Sequence, residues 1–233
     1  MAETSVALRR RDGLGLVLAI LSAVSFLGAL WMVFAYAPRE ATMGDVQRIF
    51  YFHVASAWVG FFGFFVTFAA GIGYLTRANR RWDIVAHASA QVGLAFITMT
   101  VLTGMLWAKP AWGVYWTWEP RLTISAVQWL LYVAYAMLRG SVMSPEREAR
   151  FAAVYGIVAF ITVPLSWFAI RWWRTIHPQI VSSEGMAITP RMLTTLFASL
   201  AAFTLVYATL LRQRIRLANA RDRLESLRLM QES

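Results

Sequence analysis

Cysteine is absent from the 233-residue chain. Disulfides, thiolate metal ligands, a cysteine nucleophile and a cytochrome-type CxxCH attachment site are therefore excluded. Charge is scarce too: Asp, Glu, Lys and Arg make up 15% of residues, against about 25% in an ordinary soluble domain. Histidine occurs three times. There is no glycine-rich nucleotide loop, no internal repeat and no low-complexity segment. What abounds is apolar: 59% hydrophobic and 15% aromatic residues, with a mean hydropathy of +0.54. This balance excludes a disordered chain, a disulfide scaffold and most water-soluble folds, and implies a membrane protein.

Six runs free of Asp, Glu, Lys and Arg are long enough to cross a bilayer. They are Leu14–Tyr36, Val54–Leu75 (its uncharged stretch reaching back to Ile49), Ile84–Ala108, Leu122–Leu138, Phe151–Ile170 and Met192–Leu211. Each is continuously apolar rather than alternating, so helices are expected and not barrel strands. The fold class is all-α: a polytopic membrane protein of six transmembrane helices. No stretch between spans is long enough for a second globular unit, so residues 1–233 read as a single integral membrane domain. The first run follows Arg9, Arg10 and Arg11 but holds 23 residues, including Phe26, Trp31 and Phe34. That is too long for a signal h-region, and an uncleaved helix is expected.

Six spans place both termini on one side. Fifteen of the 22 Lys and Arg residues then fall on the side of the termini and seven on the other. The positive-inside rule makes the termini side cytoplasmic, and the net charge of +10 reflects topology rather than nucleic-acid binding. In a bacterial inner membrane the three opposite loops face the periplasm. The C-terminal segment 212–233 carries Leu217, Ala220, Leu224 and Leu227 at helical spacing with arginines between them. It reads as an amphipathic extension of the sixth helix, resting on anionic membrane lipid or offering a docking surface. Ser56/Gly60, Ala69/Gly73 and Ser89/Gly93 are small residues four apart, suited to close helix packing. Pro164 should kink the fifth span.

Chemistry is concentrated in a few residues. His53 enters the second span and His177 lies in the third outer loop, so topology puts both on the periplasmic side near one depth. His87 begins the third span at the opposite surface, about 30 Å away. Two imidazoles among aromatic rings suit a flat apolar ligand with a metal at its centre, and haem fits. Arg48, Arg121, Arg171 and Arg174 lie in the same layer and could meet its carboxylates. The same residue types also furnish the ordinary interfacial belt. A b-type electron-transfer subunit is an alternative, although two stacked haems would need four histidines.

One segment is more specific: Trp112-Gly113-Val114-Tyr115-Trp116-Thr117-Trp118-Glu119-Pro120-Arg121-Leu122-Thr123. It resembles the WGxWWxWDxRLT signature of membrane haem-handling proteins, the WWD family. Within that superfamily the chain resembles the CcmC family of cytochrome c maturation. Arg48-Ile49-Phe50-Tyr51-Phe52-His53-Val54-Ala55-Ser56-Ala57-Trp58 is similar to its RIxYxHVPxAW element. Val163-Pro164-Leu165-Ser166-Trp167 and Trp172-Trp173-Arg174-Thr175-Ile176-His177 are similar to its fifth helix and the element after it. Tyr115 stands where Trp is common, Glu119 where Asp is usual, Ala55 where Pro is usual, and Pro178 follows the second histidine.

The resemblance implies haem b held at the periplasmic face by Trp112, Tyr115, Trp116, Trp118, Glu119 and Arg121. His53 and His177 would be the axial iron ligands. It implies delivery to a periplasmic haem chaperone (CcmE-like), release by an ATP-binding cassette complex (CcmA-like and CcmB-like subunits) and a small single-span subunit (CcmD-like). The role implied is haem transfer in c-type cytochrome assembly, with no catalytic turnover by this chain. Arg121 is expected to meet a propionate or anchor the loop. Glu119 is expected to organise that arginine or the chaperone contact.

Overall fold

A computed structural model describes residues 12–140, 144–173, 176–177, 181–182, 185–186 and 188–232. Arg9, Arg10, Arg11, Arg174 and Pro178 lie outside these. Long apolar runs must satisfy their own backbone inside lipid, and the chain does so with helices. They are α1 (Gly13–Trp31, continued by a π-helical turn Met32–Tyr36), α2 (Ile49–Arg77), α3 (Arg80–Trp112), α4 (Pro120–Leu138), α5 (Pro145–Ala159), α6 (Thr162–Trp172) and α7 (Pro190–Glu232). Among the described residues the regular sheet is a two-residue pairing of β1 (Val181–Ser182) with β2 (Gly185–Met186). Six helical segments are long and apolar enough to cross a membrane, α5 and α6 together forming the fifth.

Helix ends follow local chemistry. Asp12 caps α1 by accepting from the Gly15 N–H at 3.1 Å, and Asn79 caps α3 through the Arg81 N–H at 2.9 Å. The α2–α3 turn is only two residues, Ala78 and Asn79, and Ala78 sits at φ 46°. The fifth span breaks where Pro164 requires it. A proline ring collides with the carbonyl four residues earlier, here Phe160, and leaves it without its usual donor. The chain turns at Phe160–Ile161; the Val163 N–H bonds Phe160 O at 2.9 Å and Thr162 Oγ1 donates to Ala159 O at 2.7 Å. The expected kink is a true division into α5 and α6.

α2 is the central element. It packs along α3 and also meets α5 and α7; α1 packs on α7, and α4 joins α3, α5 and α6. Glycines let α2 and α3 approach. A Cβ at Gly63 would lie 3.0 Å from Gly93 Cα, and one at Gly60 would meet Ile97 at 3.0 Å. Ser89 Oγ crosses the same seam to donate to Gly63 O at 2.7 Å. The expected close packing thus holds for Gly60, Ser89 and Gly93; Ser56 is fully buried and a Cβ at Gly73 would meet the Trp82 ring at 2.7 Å, whereas Ala69 faces outward.

The end of the bundle holding the chain termini is clamped by charges. Asp83, 2% exposed, receives Arg139 through two nitrogens at 2.5 and 3.0 Å and Arg80 at 2.5 Å. Glu148 lies 3.3 Å from Arg139 Nε, near enough to attract though not aligned as a hydrogen bond. Arg80 also reaches Asp222 of α7 at 3.0 and 3.1 Å, and Asp12 binds Arg212 at 2.6 Å and Arg216. The C-terminal segment is a continuous extension of the last helix, as its periodicity predicts.

Candidate functional site

At the other end, the start of α2, the end of α3, the start of α4 and the segment after α6 converge. His53 occupies the first turns of α2, and the ring centres of His53 and His177 are 6.4 Å apart with planes inclined by 38°. His53 Nδ1 is 3.2 Å from Thr103 Oγ1. Thr103 Oγ1 also lies 2.7 Å from the Met99 carbonyl and 3.2 Å from that of Thr100. With its proton given to a carbonyl, the hydroxyl oxygen accepts from the imidazole, an arrangement that puts the proton on Nδ1 and leaves the Nε2 lone pair available. Gly104 makes room for the ring: a Cβ there would stand 2.9 Å from His53 Cε1.

The two imidazoles face a largely apolar cavity of about 960 Å3, including its open mouth. Of the residues expected from sequence, the cavity collects His53, His177, Trp112, Tyr115, Trp116 and Arg121. Trp118 and Glu119 do not line it. Trp118 is 77% exposed and meets Trp116 edge-on at 5.7 Å. Glu119 is the N-cap of α4, its Oε1 accepting from the Leu122 N–H at 3.0 Å, with Pro120 at the first helical position.

The aromatic segment is less of a loop than its sequence suggests. α3 runs on through Pro110 to Trp112 and stops at Gly113, whose φ of 79° only glycine adopts without strain. Residues 113–119 form the connection, and 120–123 already belong to α4. Lys109 Nζ closes it by donating to Gly113 O at 2.8 Å and lies 5.4 Å from the Tyr115 ring.

Arg121 anchors. Its Nη1 donates to Ser166 Oγ at 2.8 Å and to the Ser166 carbonyl, tying α4 to the fully buried Ser166 of α6. Arg48 is held elsewhere, by Asp45 at 3.1 Å and by the Val33 carbonyl. His87, near the opposite end, is 3.1 Å from Gln91 Nε2.

Sequence reasoning missed Thr103, Gly104, Trp107 and Phe61. Trp107 and Phe61 line the cavity, and the buried indole N–H groups of Trp107 and Trp116 have no hydrogen-bond partner among the described residues. A tryptophan five residues before Trp112 is the signal that would have extended the Trp-rich segment to Trp107; nothing local marked Thr103 or Gly104. The ring centres stand 6.4 Å apart, close enough for both imidazoles to belong to one ligand site. Flat aromatic walls, unpartnered N–H donors and an imidazole pair fit an iron porphyrin with its carboxylates.

Six apolar spans, with an imidazole pair and an aromatic pocket at one end of the bundle, define a polytopic membrane protein. A family model described as "CcmC: Heme exporter protein C" matches residues 1–230. Heme exporter protein C of Bradyrhizobium diazoefficiens is 35% identical over 201 residues, covering 85% of this chain and 76% of the relative. That of Escherichia coli K12 is 31% identical over 202 residues, covering 85% and 81%. That of Paracoccus denitrificans is 28% identical over 216 residues, covering 91% and 88%. The chain belongs to the heme exporter protein C family.

Proposed function

We propose that this chain binds haem b at the periplasmic face of a bacterial inner membrane and delivers it to a periplasmic haem chaperone for c-type cytochrome assembly. The observation that carries the reading is the imidazole pair, 6.4 Å between ring centres, beside an aromatic cavity. Haem would supply an iron that takes imidazole nitrogen ligands. His53 and His177 would hold it, with the Thr103 hydroxyl oxygen orienting the His53 ring by accepting at Nδ1. Trp112, Tyr115 and Trp116 offer flat apolar walls, while the indole N–H groups of Trp107 and Trp116 offer donors to carboxylates. Arg121 positions the Trp-rich segment by holding α4 to α6. Trp118, exposed at the edge of the segment, is free to cover a bound ring or to meet the chaperone.

The excess of Lys and Arg on the termini side supports cytoplasmic termini and a periplasmic site. The family supports a working complex with ATP-binding cassette subunits (CcmA-like, CcmB-like) and a small single-span subunit (CcmD-like). The chain acts as one membrane domain that holds and hands over, with proximity rather than acid–base turnover as its contribution. A b-type electron-transfer subunit with stacked haems finds only His87 for a second site, at the far end and bonded to Gln91.

The test is an absorption spectrum of the purified protein with a haem-transfer assay. His53→Ala and His177→Ala should each lower bound haem and transfer, and His87→Ala should lower neither. Equal haem content in all three variants would overturn the ligand assignment.

A further inference from the structure

The extension of α7 presents two different faces. Leu211, Ile215, Ala218 and Asp222 fall on one side and are half-buried against the bundle, Asp222 held by Arg80 at 3.0 and 3.1 Å. Around the helix, about half a turn away, lies a second row: Leu217, Ala220, Leu224 and Leu227. All four are exposed, the leucines by 50%, 59% and 54%. Their spacing of three, four and three residues is the a/d seam of a heptad pattern. In that register Arg216 and Arg223 occupy g positions, and Arg221 and Arg228 occupy e positions. From residue 216 to residue 228 each of the four positions flanking the seam is an arginine.

We propose that this face is a docking helix for an acidic amphipathic helix of a soluble partner on the termini side of the membrane. Charge chooses the occupant first. In a heptad pair, e and g side chains face those of the partner, so a second copy would set arginine against arginine in a parallel or an antiparallel pairing. A partner with Glu or Asp at those positions meets Arg221, Arg223 and Arg228 with an opposite charge, Arg216 being held by Asp12 of the same chain.

Lipid is the weaker match. α7 has 43 residues, about 65 Å of helix against a hydrocarbon core of about 30 Å. It runs unbroken, and its ion pairs to Asp12 and Arg80 hold it along the end of the bundle as far as residue 222. The seam is thus presented off the membrane rather than laid on it. Because the helix is continuous with a membrane span, the docking face is already ordered, and only the partner's helix has to fold.

The experiment uses the full chain in phosphatidylcholine nanodiscs and a fluorescent three-heptad peptide with Leu at a and d and Glu at e and g. Fluorescence anisotropy should show micromolar binding that weakens with salt. Leu224→Ala/Leu227→Ala should weaken it at least about tenfold, with helicity by circular dichroism unchanged. Arg221→Glu/Arg223→Glu/Arg228→Glu should transfer the preference to the matching Lys peptide. Absent binding, or equal binding by wild type and the leucine variant, overturns the proposal. So does protection of residues 217–228 from hydrogen exchange on adding phosphatidylglycerol alone, which assigns the face to lipid. Dimerisation abolished by the leucine variant overturns it in favour of a second copy.

Discussion

Gly104→Ala isolates the geometry of the imidazole pair from the stability of the bundle. The added methyl carbon would sit 2.9 Å from His53 Cε1, where ordinary contact begins at 3.4 Å. The ring must retreat by about half an ångström or more, comparable with the roughly 0.5 Å tolerance of a working ligand constellation. Its Nδ1 bond to Thr103, already 3.2 Å, would stretch past hydrogen-bond length and release the tautomer. The backbone effect has the opposite sign, since alanine is favoured over glycine within a helix by about 0.5–1 kcal/mol. Overpacking costs about 1–3 kcal/mol where neighbours cannot move, and a side-chain ring can. The net change in stability should therefore be within about 1 kcal/mol of zero. Haem affinity should fall by at least about tenfold, equivalent to about 1.4 kcal/mol. Thermal unfolding in detergent and a Soret titration on the same preparations separate the two. An unchanged titration would refute the role given to the Gly104 notch, and a collapsed melting temperature would show that the glycine serves packing instead.

Asp83→Ala strips Arg139 and Arg80 of their shared buried carboxylate and should cost about 3–5 kcal/mol, read as a lower detergent melting temperature; a loss under about 1 kcal/mol would mean the ion cluster contributes little. Arg121→Lys should cost about 1–2 kcal/mol and Ser166→Ala about 1 kcal/mol or less, and the double variant should cost less than the sum because both remove one contact; strict additivity would refute the anchor. The hydrogen bond from Arg212, aided by the charge of Arg216, holds the Asp12 carboxyl below its ordinary 3.8. Its lowered folded value means this contribution is fully present above 3.8 and is lost as pH falls through the lower value. Hydrogen exchange of 212–220, corrected for intrinsic rate, should therefore rise only below that range, and Asp12→Asn should remove the step.

The six spans were legible because lipid leaves a long uncharged run only one solution. The division at Phe160–Ile161 was legible from Pro164, and the C-terminal helix from its leucine spacing. The meeting of His53 with His177 followed from counting spans. Other features depended on signals in competition. Pro110 looks like a stop, yet α3 continues to Trp112 because the chain finds its left-handed exit at Gly113. Glu119 reads as a site carboxylate, while its position before Pro120 is that of a cap. The buried cluster of Asp83 and Arg139 joins residues 56 apart in the chain, so no local pattern could reveal it. Thr103 and Gly104 are unremarkable as letters in a helix; only the face they turn toward α2 gives them a task.

The glycine seam between α2 and α3 has a reach beyond packing. His53 and the pair Thr103–Gly104 sit far along these two helices from the two-residue turn at Ala78–Asn79 that joins them. Registration is fixed along the way by Gly60, Gly63 and Gly93, much as teeth fix two racks. Sliding α3 by a single residue would swing its facing side by about 100° and advance it about 1.5 Å. The threonine and the notch would then both miss the imidazole, although every residue of the pocket would still be present. Changes of chain length at that distant turn are thus as consequential for the pocket as changes of side chain within it.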